Sequence, residues 1–376
     1  MKSVILVANS RYQRGTANSI NVFRMVSAFA SEGFKVRLIA LRSSIIFKTV
    51  LWKETCDRYG DNPDIKRTFF WWPFQRCTEP VLALLSAFIL PFVSRDTLVY
   101  TRICFVALLA VQLGFRVVFE SHAPPKNSMR EKIEHVLLTH RNSYVVVISN
   151  GLLNMYKTKG LPVDNMHIAP DAGRLIRNTS PRKEEFQGPC NNVGYIGSLY
   201  TGRGFRIIVS LAEKIPDRSF HVVGDLKTLP VSSDKLPQNI LLKGAVTPDD
   251  AERVGKSFDA FLMPYQKEVR LGNGQDTSSW MSPMKMFEYM LAGRPVISSN
   301  LAVLREVLHD HVNALLVDAD DVKAWVGALN QLDSPELRFQ LALNAYNDAS
   351  ANYTWDIRVQ RILKFINSGR REQATA

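Results

Sequence analysis

Two short stretches combine residue types that can do chemistry. The first is Ser282-Pro283-Met284-Lys285-Met286-Phe287-Glu288, running on to Gly293. Ser282 has the type of a helix N-cap, and Pro283 suits the first helical position. Gly293 suits the C-terminal end, and the apolar strand Pro295–Ser298 follows. The start of such a helix offers backbone N–H groups and a positive dipole end, which together attract phosphate. Glu288 falls on an otherwise apolar face, where a carboxylate needs a partner. Two partners fit: adjacent hydroxyls, as on a ribose, or Lys285 one turn earlier. The second stretch is Glu120-Ser121-His122-Ala123-Pro124-Pro125. A lone histidine is usually structural, but this one ends a predicted strand and two prolines stiffen the loop behind it. Gly15 follows the first predicted strand and permits close backbone approach to a ligand. Arg102 stands near another strand end, where it faces a ligand or serves the fold.

The elements that must position these residues alternate in type. Val4–Ala8 is an apolar strand, and Val22, Met25, Val26 and Phe29 stripe the helix Asn18–Ser31. Strands at Lys35–Leu41, Thr97–Tyr100, Arg116–Phe119 and Tyr144–Ile148 follow, with a helix at Phe105–Leu113. A polar stretch with two prolines at 177–192 reads as a linker, after which the pattern restarts. Strands Val193–Ile196, Ser219–Val223, Ile240–Leu242 and Ala260–Met263 flank a helix at Phe205–Lys214. This predicts an α/β chain with two Rossmann-like domains and a cleft between them, function lying in loops beyond the carboxyl ends of parallel strands. The boundaries are 1–178 for the first domain, 179–192 for the linker and 193–351 for the second. A closing helix at 352–370 completes the first domain.

Composition sets limits. The 376 residues carry a net charge of +12, with 46% hydrophobic and 22% charged residues, as in ordinary globular proteins. The surplus suits an anionic membrane or a phosphorylated substrate. No zinc finger, RNA-recognition signature or basic block points to nucleic acid. Cys56, Cys77, Cys104 and Cys190 are scattered, which fits free thiols in a cytoplasmic protein and not a metal site. Asp318-Ala319-Asp320 lies near a predicted surface turn, so no metal is expected. Gly-x-Gly-x-x-Gly is missing after the first strand, which argues against an NAD enzyme. The apolar start is too short for a signal peptide and reads as a buried strand. Pro80–Val93 is apolar but too short to span a bilayer, and a buried helix is expected. Before it, Phe69, Phe70, Trp71 and Trp72 mix with lysine and arginine. Such a mixture suits an interfacial membrane contact; the other reading is rings packed beneath a loop.

Several stretches, in order, carry a resemblance. ANSINVFRMVSAFASEGFKV, VYTR, FESHAPP, VVVISNGL, IAPDAGRL, VGYIGSLYTGRGF, SPMKMFEYMLAGRPVISS and YTWDIR resemble glycosyltransferase family 4, retaining enzymes of the GT-B fold. The resemblance covers most of the chain. It implies two parallel sheets facing across a cleft and a closing helix that crosses back to the first domain. It also implies a nucleotide-diphosphate sugar as co-substrate, no cofactor, and a glycan or lipid-linked acceptor in bacterial surface polysaccharide assembly. Glu288 would hold ribose hydroxyls, and the backbone around Ser282, Pro283, Met284 and Lys285 would meet the diphosphate. Arg203 takes the place of the family's phosphate-binding lysine, a task a guanidinium performs in bidentate fashion. Gly197 and Ser198 belong to the phosphate loop, Gly244 lies near the base, and His122 approaches the donor sugar. Two departures stand out. Trp280 occupies the position of a sugar-binding glutamate, which Asp276 can replace only if the loop 270–279 folds back. Ser198 stands where an arginine is common, leaving Arg203 to act with Lys285 or Arg270. The rival readings are a nucleotide-sugar epimerase and a non-catalytic binding protein of the same shape.

Overall fold

The computed structural model describes residues 3–10, 16–42, 48–61, 63–72, 74, 77–175, 180–230, 235–270 and 274–374. The chain divides into two compact units: Met1–Pro170 with Trp355–Ala376, and Asp171–Thr354.

The first unit alternates strands and helices in the order β1 (Ser3–Ala8), α1 (Ala17–Ser31), β2 (Lys35–Arg42), α2 (Lys48–Tyr59), β3 (Lys66–Trp71), α3 (Thr78–Ile89), β4 (Leu98–Thr101), α4 (Cys104–Gln112), β5 (Arg116–Ser121), α5 (Ser128–Thr139), β6 (Ser143–Val147), α6 (Asn150–Thr158) and β7 (Met166–Ile168). The sheet runs β3-β2-β1-β4-β5-β6-β7 and is parallel throughout. Thr16 and Ser19 form a capping box that starts α1, and the stripe Val22, Met25, Val26, Phe29 is buried.

The second unit continues with β8 (Asn192–Ile196), α7 (Phe205–Lys214), β9 (Ser219–Val223), β10 (Ile240–Lys243), α8 (Pro248–Gly255), β11 (Ala260–Met263), α9 (Met284–Leu291), β12 (Val296–Ser299), β13 (Leu315–Val317), α10 (Val322–Gln331) and α11 (Pro335–Asn352). Its sheet is again parallel, in the order β10-β9-β8-β11-β12-β13. That order reverses between β8 and β11, the place where a doubly wound sheet binds ligands beyond its carboxyl ends. The last helix, α12 (Trp355–Ala374), packs on α1 of the first unit.

The structure differs from the sequence reading at three places. Residues 180–190, expected as linker, are held by the second unit: Phe186 is buried and Arg338 donates to the Phe186 and Gly188 carbonyls. The compact division falls instead at Pro170/Asp171 and Thr354/Trp355. The apolar run Pro80–Val93 forms a helix but is not buried. Leu82, Ser86 and Leu90 face the core, while Leu84, Phe88 and Phe92 stand in solvent. The aromatic run before it is no loop. Phe69, Phe70 and Trp71 lie in β3, the edge strand, where Phe69 meets the buried Trp52 ring at 6.3 Å. Trp71 is exposed, whereas Phe70 and Trp72 are half-buried.

Candidate active site

In the second unit the site grows from the carboxyl end of β8. Gly197 follows the strand with φ 151°, and a Cβ there would come within 2.7 Å of the Lys285 Nζ. Glycine is favoured by that positive φ, which side chains on an L-residue rarely allow, while the flexible end of Lys285 lies where a Cβ would sit. Gly204, at φ 82°, packs against the Pro264 carbonyl after β11, closing the loop 197–204 onto the switch point. Arg203 sits in that loop, just before α7, whose N-terminus carries no side-chain cap.

Helix α9 is fixed beside this loop by Tyr289. The Tyr289 hydroxyl donates to the Ile196 carbonyl at 2.8 Å and accepts from the Ile196 N–H at 2.8 Å. Its ring stacks on Phe261 with centroids 4.1 Å apart. Ser282 is not the N-cap that its type suggested. Pro283 takes that position without a side-chain cap, and Ser282 accepts instead from the Asp171 N–H at 2.9 Å. The first N–H groups of α9 thus keep no side-chain acceptor, which suits an anion.

Two cations meet here. Lys285 donates to the Tyr195 hydroxyl at 2.9 Å and lies 4.1 Å from the Tyr195 ring centroid and 5.2 Å from that of Tyr265. Tyr195 in turn donates to the Ser198 carbonyl at 2.5 Å. Arg203 stacks on Tyr265 at 5.1 Å, and its Nε is buried without a hydrogen-bond partner among the described residues. Burial, reinforced by the Arg203 charge and opposed by Glu288, holds the Lys285 ammonium well below the usual lysine range. Among the described residues no carboxylate pairs with Lys285 or Arg203. Two cations beside a helix start with no side-chain cap have the chemistry that suits an oxyanion.

The other expected residues fall as follows. Glu288 is exposed one turn beyond Lys285, not on a buried face. Gly244 follows β10 and is exposed. Arg270 and Asp276 are brought together by an antiparallel bridge. Asp276 is nevertheless committed to the loop: it accepts from the Val269 N–H at 2.8 Å and from Ser278 at 2.9 Å. Arg270 pairs with Glu268, and Trp280 is buried. Asp318 and Asp320 both pair with Lys267, at 3.3 and 2.9 Å. Gly15 lies outside the described residues.

The first unit holds a different cluster. Glu120, at the end of β5, is buried and accepts from Arg102 at 2.8 Å and from Arg358 at 3.0 Å, with the His122 ring on the same carboxylate. Burial alone would raise the carboxyl, but Arg358 and His122 overcome it and bring the pKa to about 2. Arg102 also donates to Asn18 at 2.8 Å. Arg358 further reaches the Ala169 and Pro170 carbonyls at 3.1 and 2.8 Å, which pins α12 to the unit. Glu120, Arg358, Tyr195 and Tyr265 were not singled out from the sequence. Three of them lie inside the stretches FESHAPP, YTWDIR and VGYIG, whose surroundings did carry the signal.

Residues 190–334 match the family model described as Glycosyl transferases group 1. This segment belongs to the glycosyl transferases group 1 family. The group 1 segment contains Gly197, Arg203, Lys285 and Glu288, so the family assignment rests on the unit that carries the two cations. TuaH of Bacillus subtilis strain 168, named as a candidate teichuronic acid biosynthesis glycosyltransferase, is 29% identical over 112 residues, 29% of this chain and 26% of its own. The D-inositol 3-phosphate glycosyltransferase of Corynebacterium urealyticum is 23% identical over 193 residues, 47% of this chain and 42% of its own. The matches therefore span less than half the length of either curated relative. Anabaena HepE, solved in complex with UDP, has a TM-score of 0.69 at 16% identity, covering 98% of this chain and 100% of its own. The group 1 segment and its partner unit thus have the GT-B fold.

Proposed function

We propose that the chain is a glycosyltransferase that moves a hexose-type sugar from a nucleotide-diphosphate donor to a glycan or lipid-linked acceptor of a bacterial surface polysaccharide. The observation that carries this reading is the pair Arg203 and Lys285 beside the uncapped start of α9, with no counter-ion among the described residues. A diphosphate supplies that counter-ion. HepE was solved with UDP, so a uridine diphosphate sugar is the first donor to try.

In this mechanism Arg203, Lys285 and the α9 dipole stabilise the charge that grows on the leaving diphosphate, a preorganised electrostatic contribution. Glu288 accepts from the ribose hydroxyls. The backbone of Gly197, Ser198 and Pro283–Lys285 approaches the diphosphate, and Gly244 the base. The leaving phosphate takes the acceptor's proton on the same face, so the anomeric configuration is retained. His122, oriented by Glu120, has a catalytic role. No metal or cofactor takes part. With Asp276 committed and Trp280 apolar, the donor sugar is held through other hydroxyl contacts. The chain works in the cytoplasm, at the inner face of the plasma membrane.

The test is a calorimetric screen of nucleotide sugars. One donor is expected to bind wild type, with affinity reduced about 100-fold or more in Arg203→Ala and about 10-fold in Glu288→Ala, in line with loss of a charged and a neutral set of hydrogen bonds. Equal affinity in all three proteins rejects the site. With the donor identified, turnover should survive a chelator and the product should keep the donor's anomeric signal by NMR.

A further inference from the structure

The connections β3 to β4, β4 to β5, β5 to β6 and β6 to β7 all run toward the same edge of the first sheet. Right-handed crossovers therefore put α3, α4, α5 and α6 on one face of it. α1 and α2 cross in the opposite direction and lie on the other face, where α12 packs against α1. The α3–α6 layer exposes large apolar side chains. Leu84 is 60% exposed, Phe88 69% and Phe92 91%, at spacings of four along one side of α3 and the short helical turn after it. Met129 and Val136 add to it from α5. A monomer rarely leaves so many large side chains in water along one line.

Charge indicates what covers this face. The first unit holds 27 Lys and Arg against 13 Asp and Glu, a net +14; the second holds 20 against 22, a net −2, and together they give the chain's +12. On the α3–α6 layer Arg95, Lys126, Lys132, Arg141 and Lys157 are exposed, and none forms an ion pair among the described residues. A second copy of this face would bring those cations onto one another. An anionic surface with an apolar interior takes both features at once.

We infer that α3, with Leu84, Phe88 and Phe92, is the element by which the first unit inserts into the headgroup layer of an anionic bilayer. This rests on the reading that the chain works at a membrane, and moves the contact from the β3 aromatics to α3. No helix among the described residues is long and apolar enough to cross a membrane. A twelve-residue apolar helix, α3 lies in the interface instead of spanning it. Phe69, Phe70 and Trp72 are partly covered within the unit and offer less surface.

The experiment is flotation of the full chain with vesicles of phosphatidylcholine mixed with phosphatidylglycerol, and with phosphatidylcholine alone. Wild type is expected to float with the anionic vesicles and not with the neutral ones. The triple variant Leu84→Ser, Phe88→Ser, Phe92→Ser should lose at least tenfold in bound fraction, while Trp71→Ser floats as wild type does. Wild type that floats with neither vesicle ends the membrane reading itself. Wild type that floats together with an unchanged triple variant overturns only the assignment to α3. A Phe88→Trp variant gives an independent readout: its emission should shift to the blue on anionic vesicles, and no shift overturns the assignment. A wild-type dimer in solution that the triple variant dissolves makes the face a protein interface and also overturns it.

Discussion

The two units bury charge in opposite ways. In the first, the Glu120 carboxylate is enclosed by Arg102, Arg358 and His122. In the second, Lys285 and Arg203 lie against the rings of Tyr195 and Tyr265; Glu288 acts on Lys285 from a distance, but neither cation forms an ion pair among the described residues. The tyrosines offer only the faces of their rings and a hydroxyl, which attract a cation weakly compared with an anion. The closed cluster holds the chain's own elements together, since Arg358 carries α12 to the end of β5 and to the Ala169 and Pro170 carbonyls. The open one leaves its electrostatic attraction for a ligand. Removing a cation from each should therefore give opposite results.

The largest effect is expected at the closed cluster. Arg358→Met leaves Glu120 buried with part of its compensation gone and two backbone carbonyls without their donor. Breaking a buried pair from one side costs about 3–5 kcal/mol, and urea unfolding should show a loss of that order. Adding Glu120→Gln should restore part of it. The matching change at the open cluster, Lys285→Met, removes a poorly solvated charge of similar shape and should leave unfolding unchanged or slightly favour the native state. Equal losses in the two single variants would erase the distinction.

Within the first unit, Glu134 sharpens the comparison. It is as buried as Glu120, yet its only hydrogen bond among the described residues is with Tyr156, at 2.5 Å. Burial raises its pKa to about 7, outweighing the opposing effects of the Tyr156 hydrogen bond and of the Arg130 and Lys159 charges. The Tyr156 hydroxyl donates to the Glu134 carboxylate, which favours the ionised form, but burial outweighs that bond. A folded pKa raised above 4.5 means stability that is present below pH 4.5 and lost as pH rises to about 7. Wild type should lose on the order of 2–3 kcal/mol across that window relative to Glu134→Gln. Glu120 has the opposite sign: its contribution is full above 4.5 and falls away toward pH 2. Parallel pH profiles for wild type and Glu134→Gln would show that Glu134 is ionised when folded.

The sequence made the framework of both units legible because buried parallel strands leave uninterrupted apolar runs and amphipathic helices a 3.6-residue stripe. Helix α9 was readable from Pro283 and Gly293, yet Ser282 was misplaced by one residue: a hydroxyl that can cap a helix can equally accept the Asp171 N–H, a contact 111 residues away in the chain. Glu120 was hidden for the same reason, since its significance depends on Arg358, 238 residues later. The exposure of α3 was unreadable in principle. An apolar helix has the same composition whether its second face meets protein or water, and only the exposure of Leu84 and Phe88 among the described residues tells the two apart.

The smallest effect concerns the proton on Lys285. Its ammonium is held below the usual range by burial and by Arg203. A bound diphosphate opposes both causes, because it brings negative charge to the amine and faces Arg203 as well. Binding should raise the Lys285 pKa and draw in a fraction of a proton, so donor affinity should weaken as pH rises through the pKa of the free protein. The slope stays below about 1.4 kcal/mol per pH unit, the limit for one proton. Calorimetry in buffers of different ionisation enthalpy measures the uptake directly. Glu120 is already ionised and its partners are already paired, so the closed cluster adds nothing to that exchange. Lys285→Met should therefore abolish the uptake, and uptake that survives in this variant would place the titrating group elsewhere.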